Sequence, residues 1–216
     1  MTLPVNVNAL IGAIETTVAI QQADTGGKSF LRLDRGGFFV YGADDVEVEE
    51  KSKWAVNPNS FATGYIAWSD SSNAPVGEEM RPITGTPVTQ AELPQVAGEW
   101  AQQVGMQLVC ISGEDKGQEV VFKSSSRGGR SAFTDLLNQV VTHLNANAGT
   151  EEVVPVVTLS VESYKHQKYG KINTPAFNIS EWKKMDDTTV AEPEEPVALE
   201  EPVAEEPPAK RRRRRA

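Results

Sequence analysis

Helical periodicity is confined to one stretch of this chain, which restricts the fold to one that is mostly β. Phe133, Leu136, Leu137, Val140, Val141 and Leu144 recur at steps of three and four, the spacing of one apolar helix face. Ser131 precedes them as an expected N-cap and Gly149 stands where the helix should stop. Elsewhere the apolar residues alternate. SFLRLDRGGFFVYG predicts a hairpin around Asp34, Arg35, Gly36 and Gly37. GMQLVCISGEDKGQEVVFKSSS predicts a second, turning between Gly113 and Gly117. Residues 153–161 and 171–182 predict a third strand pair, joined by the loop ESYKHQKYG. Between the first two hairpins, Val46, Val48, Trp54 and Val56 alternate, and FATGYIAW is strand-like. The Pro- and Gly-rich region 75–98 predicts a long loop with one short strand near residues 80–83. The expected fold is an OB-like β-barrel, or a sheet, closed by one amphipathic helix.

A chain of 216 residues fits one domain with an appendage better than two domains. Residues 1–27 show no clean period and read as an extended lead-in, with the barrel over 28–185. No apolar run approaches the ~18 residues of a membrane-spanning helix, and no basic-then-apolar leader opens the chain, so a soluble protein acting without a membrane is expected. One cysteine, Cys110, rules out an internal disulfide framework, and only His143 and His166 accompany it. No metal and no cofactor is expected.

The net charge of −9 is unevenly arranged. Residues 186–216 carry nine carboxylates followed by Lys210, Arg211, Arg212, Arg213, Arg214 and Arg215, with no aromatic residue and a repeated EEPVA unit. Such a segment cannot bury enough apolar surface to offset its chain entropy, so a disordered tail is expected, acidic and then Arg-rich. Its guanidinium groups suit successive phosphates without sequence preference.

An acidic chain attracts nucleic acid only through a local basic surface. Two stretches offer one. Tyr164, Lys165, His166, Lys168, Tyr169 and Lys171 interleave rings and cations within ten residues, a pattern suited to stacking unpaired bases while neutralising the phosphates between them. Solubilising charge on a hairpin tip explains that pattern equally well. KSSSRGGR places Lys123, Arg127 and Arg130 beside the expected helix start, where backbone amides favour a phosphate, although a plain strand-to-helix turn is the competing reading. Of the strand aromatics, most read as core; Trp54, beside Lys51 and Lys53, is the best stacking candidate.

Catalytic readings are weaker. Asp44, Asp45, Glu47, Glu49 and Glu50 could gather a divalent cation, and Glu49 with Lys51 has an E-x-K spacing, but the interleaved valines describe a strand with a solvated acidic face. Gly27, Lys28 and Ser29 mimic the end of a phosphate loop whose first glycine is replaced by Gln22. Cys110, mid-strand among apolar neighbours, reads as packing. No enzyme activity is expected.

The phrases FLRLDRGGFFVYGADDVEVEE, KWAVNPNSFATGYIAW, GEDKGQEVVFKSSSRGGRSAF and SYKHQKYGKINTPAFNISEW resemble early-region proteins of tailed bacteriophages, over residues 28–185. In architecture and tail composition the chain is more loosely similar to phage single-stranded-DNA-binding proteins. That second resemblance implies a β-barrel coating displaced strands in phage replication or recombination in the host cytoplasm, and an acidic tail that contacts replication proteins. The basic terminus departs from that pattern and puts a purely competitive role for the acidic stretch in doubt. The expected function is non-catalytic binding of single-stranded DNA, with self-association left open. The alternatives are a structural or interaction protein whose Arg-rich tail holds genome, and a metal-dependent nuclease.

Overall fold

The computed structural model describes residues 28–69 and 74–186. The lead-in expected over 1–27 and the tail beyond Asp186, including Lys210 to Arg215, lie outside the described residues.

Among the described residues, ten strands and one α-helix make a mostly β fold. The first hairpin forms as expected from β1 (Ser29–Leu33) and β2 (Phe39–Tyr41), and the two-residue β3 (Val46–Glu47) pairs antiparallel with the outer edge of β2. The acidic stretch therefore makes far less strand than its alternation predicted; after Glu47 the chain turns through Lys51, at φ +67°. β4 (Lys53–Val56) and β5 (Ala62–Trp68) follow, then β6 (Pro75–Pro82), an eight-residue strand where only a short one near residue 80 was expected. β7 (Glu99–Cys110) and β8 (Glu119–Ser124) form the second hairpin, and β9 (Glu152–His166) and β10 (Gly170–Lys184) the third.

The sheet runs β10-β9-β4-β7-β8-β1-β2-β3, and β5 and β6 branch from β7. β7 is long enough to pair with β8 along one edge and, along the other, with β5 over its first half and β4 over its last three residues. The corner between β4 and β5 is stitched to β7, because Gln107 N–H donates to Ser60 Oγ at 2.8 Å and Asn57 N–H to the Gln107 carbonyl at 3.0 Å. Among the described residues every pairing is antiparallel except β1 with β8, which a hairpin cannot supply. The sheet curls into a half barrel. Among the described residues no ladder joins β10 to β3, so it does not meet itself.

The helix α1 (Arg127–Ala146) packs against β10, β7 and β9. Its start corrects the expected N-cap: Ser126, not Ser131, accepts a hydrogen bond from Gly129 N–H at 3.0 Å, so Arg127 to Arg130 form the first helical turn rather than a loop. Glycines stand there for want of room, since a Cβ on Gly129 would lie 2.1 Å from Ser124 Oγ and one on Gly128 2.5 Å from the Thr174 methyl. The buried helix face is also narrower than its periodicity suggested. Phe133, Leu136 and Val140 are buried, whereas Val141 and Leu144 are exposed.

One main core fills the concave side. Phe133 meets Phe61 edge-on at 5.7 Å, and Phe122 meets Phe177 at 5.1 Å, tying α1 and β10 to the middle of the sheet. Near the helix end, the His143 ring stacks on Trp182 at 3.7 Å. Cys110 is fully buried in this core and donates its thiol to the Ser112 carbonyl at 3.0 Å. Burial raises its pKa above the ordinary thiol value, as its packing role predicted.

Candidate nucleic-acid interface

The third hairpin extends further than the alternation alone implied. β9 runs through Tyr164, Lys165 and His166 and β10 resumes at Gly170, so the expected ten-residue loop is a two-stranded ribbon closed by Gln167, Lys168 and Tyr169. Strand geometry then sorts its side chains. Tyr164 pairs with Ile172 and His166 with Gly170, while Lys165 pairs with Lys171. Because successive residues face opposite ways, Tyr164 and His166 share one face and the two lysines share the other.

On the ring face, Tyr164 and His166 meet the start of α1. Together with Arg127 they line a cleft of about 580 Å³ between the helix, β9 and β10. Residues 37 positions apart are thus brought to one opening. The cleft is not a uniform cationic trough, since the carboxylates of Asp135 and Glu162 also line it.

The ribbon tip is internally ordered. His166 Nδ1 accepts the backbone N–H groups of Lys168 and Tyr169 at 3.1 and 3.3 Å. The Tyr169 ring stacks on His166 at 4.9 Å, and Lys168 Nζ lies 5.2 Å from the Tyr169 centroid. Tyr164 and Tyr169 remain 48% and 66% exposed. Residues 162–171 hold three lysines against one glutamate, a locally basic tip on an acidic chain.

Three expected contributors lie elsewhere. Trp54 is fully buried, and its Nε1 donates to Ser52 Oγ at 2.9 Å; no face is left for stacking a base, and the expectation is corrected. Alternation was the missed signal, because Lys53 and Trp54, being adjacent in a strand, must point to opposite faces. Lys123 follows the core residue Phe122 and so faces away from the core; it is ion-paired with Glu78 at 2.7 Å and lies 5.8 Å from the Phe30 centroid. Arg130 turns from the ribbon to β7, where its guanidinium donates to Gln102 Oε1. Of Lys123, Arg127 and Arg130, Arg127 alone joins the ribbon residues in the cleft.

Within the acidic stretch proposed for a cation, Asp45 is ion-paired with Arg32 and Glu49 shapes a loop with Asp115. Glu49 Oε2 accepts the Glu114 N–H at 2.7 Å, and Asp115 accepts both the Tyr41 hydroxyl at 2.9 Å and the Glu49 N–H at 3.1 Å. Among the described residues no group of three His, Cys, Asp or Glu side chains is placed to hold a metal ion, and no helix is long and apolar enough to cross a membrane.

Reading the strands by face also singles out two residues for which no binding role was expected. Arg35 and Phe38, in the β1–β2 turn, are exposed, and their turn meets β10 through Asn173, which shares the lysine face and donates its Nδ2 to the Arg35 carbonyl at 3.4 Å. The DRGGFF run showed a turn but not its neighbour. Comparison with known proteins adds no relative: no family model matches the chain, and no curated protein or solved structure does.

Proposed function

We propose that this is a non-catalytic single-stranded-nucleic-acid-binding protein that uses the β9–β10 ribbon. The observation that carries the reading is the convergence of Arg127 with Tyr164 and His166 on one cleft, next to a basic tip whose two tyrosines are exposed. Unpaired bases stack on such rings without regard to sequence. Because the carboxylates of Asp135 and Glu162 line the cleft, this reading assigns the phosphates to Lys165, Lys168 and Lys171 outside it and to Arg127 at its wall. None of these four is ion-paired among the described residues. The OB-like identity of the curled sheet, with α1 as its closing element, belongs to the same proposal. So does a place in phage DNA replication or recombination, with replication proteins contacted through the tail.

The test is anisotropy of a labelled homopolymeric single strand titrated with the full chain, with duplex as competitor. Tyr164→Ala should weaken binding, and the preference for single strands should survive replacement of Lys210 to Arg215 by serine. Loss of all binding on that tail replacement would favour the rival in which the tail alone holds nucleic acid.

A further inference from the structure

We propose that Arg35 and Phe38 in the β1–β2 turn complete a second, phosphate-holding face with Lys165 and Lys171, so that one nucleic-acid strand wraps the ribbon rather than touching only its ring face. The inference rests on the reading of the ribbon as the binding element and adds the residues that hold the backbone of the strand.

Geometry sets the turn that carries Arg35 and Phe38 beside the strand that carries Lys171. Lys165 and Lys171 are directly opposite in the ladder, and one step along the same face Ser163 pairs with Asn173. Asn173 is the residue that reaches the turn, donating to the Arg35 carbonyl at 3.4 Å. The approach there is close enough that a Cβ on Gly37 would fall 2.8 Å from Asn173 Nδ2, and Gly37 has φ +87°. The turn is therefore fixed against β10 about two residues, or ~7 Å of strand rise, from Lys171.

Chemistry points to a polyanion bearing flat groups. Arg35, Lys165 and Lys171 are exposed, and none is ion-paired among the described residues. Two ammonium groups held opposite one another repel, a cost that a bridging phosphate removes. The carboxylate of the turn, Asp34, accepts the Phe38 N–H at 2.8 Å, which fixes the turn that presents the Phe38 ring. That ring is 39% exposed in the same turn as Arg35, and single strands use rings and charges together.

The experiment compares the salt dependence of single-strand binding for the full chain and for Arg35→Gln, Arg35→Lys, Lys171→Gln, Phe38→Ala and Tyr164→Ala, with a homopolymeric oligonucleotide longer than ~16 nucleotides. Removing one cation that neutralises a phosphate lowers the slope of log K against log salt by ~0.7 for a single strand. Arg35→Gln and Lys171→Gln should each lower it by about that much, and Arg35→Lys should keep it. Phe38→Ala should weaken binding ~5- to 150-fold at an unchanged slope. If Arg35→Gln and Lys171→Gln keep the parent slope and affinity while Tyr164→Ala weakens binding, this inference fails and the ribbon reading stands. If the unmodified chain binds no single strand, both fail.

Discussion

Lys165 and Lys171 stand directly opposite each other in the β9–β10 ladder, two like charges on one face of a ribbon. A fold selected for stability alone would place a carboxylate at one of the two positions. Lys171→Glu should therefore strengthen the ribbon by ~0.2–1 kcal/mol while weakening oligonucleotide binding. Because the gain is local, amide hydrogen exchange across residues 162–174 is the right readout rather than the global melting temperature. Faster exchange in the variant would remove the argument that the lysine pair is held at a cost.

Burial separates the aromatic residues into two classes that behave differently on substitution. Tyr164→Ala and Tyr169→Ala should each cost ~1–3 kcal/mol of single-strand binding and little stability, because both rings are exposed. Trp54→Phe should do the reverse. It removes the indole hydrogen bond to Ser52 and leaves unfilled volume in the core, costing ~1–3 kcal/mol of folding free energy with affinity per folded molecule unchanged. Urea titration beside the anisotropy assay distinguishes the two. A loss of affinity in folded Trp54→Phe would return that ring to the interface.

The contrast also shows where alternation was informative. Strands with one buried face and tight glycine turns, such as β1–β2 and β7–β8, were legible because their pattern is local. β6 was not, since its residues are mostly exposed and its strand state is imposed by pairing with β5 rather than by its own side chains. Tyr164, Lys165 and His166 looked like loop because polar residues dominate them; a 15-residue ribbon continues through polar sequence once its ladder has started. Convergence of Arg127 with the ribbon and of Arg35 with Asn173 depends on sheet order, which no single segment encodes.

The helix start offers a sharp test of local chemistry. Ser126 caps α1 through Gly129 N–H, so Ser126→Ala should cost ~1 kcal/mol. Ser131, exposed in the second turn, should tolerate alanine within ~0.5 kcal/mol. Chemical denaturation of the two variants checks this, and a larger effect for Ser131→Ala would restore the later start.

Gly129 tests whether room or propensity governs that turn. Alanine is a better helix former than glycine by ~1 kcal/mol, yet its Cβ would sit 2.1 Å from Ser124 Oγ and 2.6 Å from Ser124 Cβ. Overpacking of ~1–3 kcal/mol outweighs the propensity gain, so Gly129→Ala should be destabilised. Adding Ser124→Gly removes these two atoms, leaving Ser126 Oγ at 3.0 Å, and should recover part of the stability. A double-mutant cycle in urea measures the coupling; simple additivity would mean that the helix start moves freely from β8.

Cys110 links core packing to pH. Burial raises the thiol pKa in the folded protein, so above the unfolded thiol value of ~8.5 the unfolded chain gives up its proton before the folded one does. The unfolded state then binds fewer protons, and linkage makes stability fall as pH rises through that interval. Its thiol contribution is intact below ~8.5 and is lost at up to ~1.4 kcal/mol per pH unit above it. Urea unfolding of the parent and of Cys110→Ala at about pH 8 and about pH 10 isolates the effect, because other groups titrate alike in both proteins. The parent should lose more stability across that range, and its thiol should resist a disulfide reagent at neutral pH until denaturant is added. Equal losses in the two proteins would show that the thiol ionises as readily in the core as in the unfolded chain.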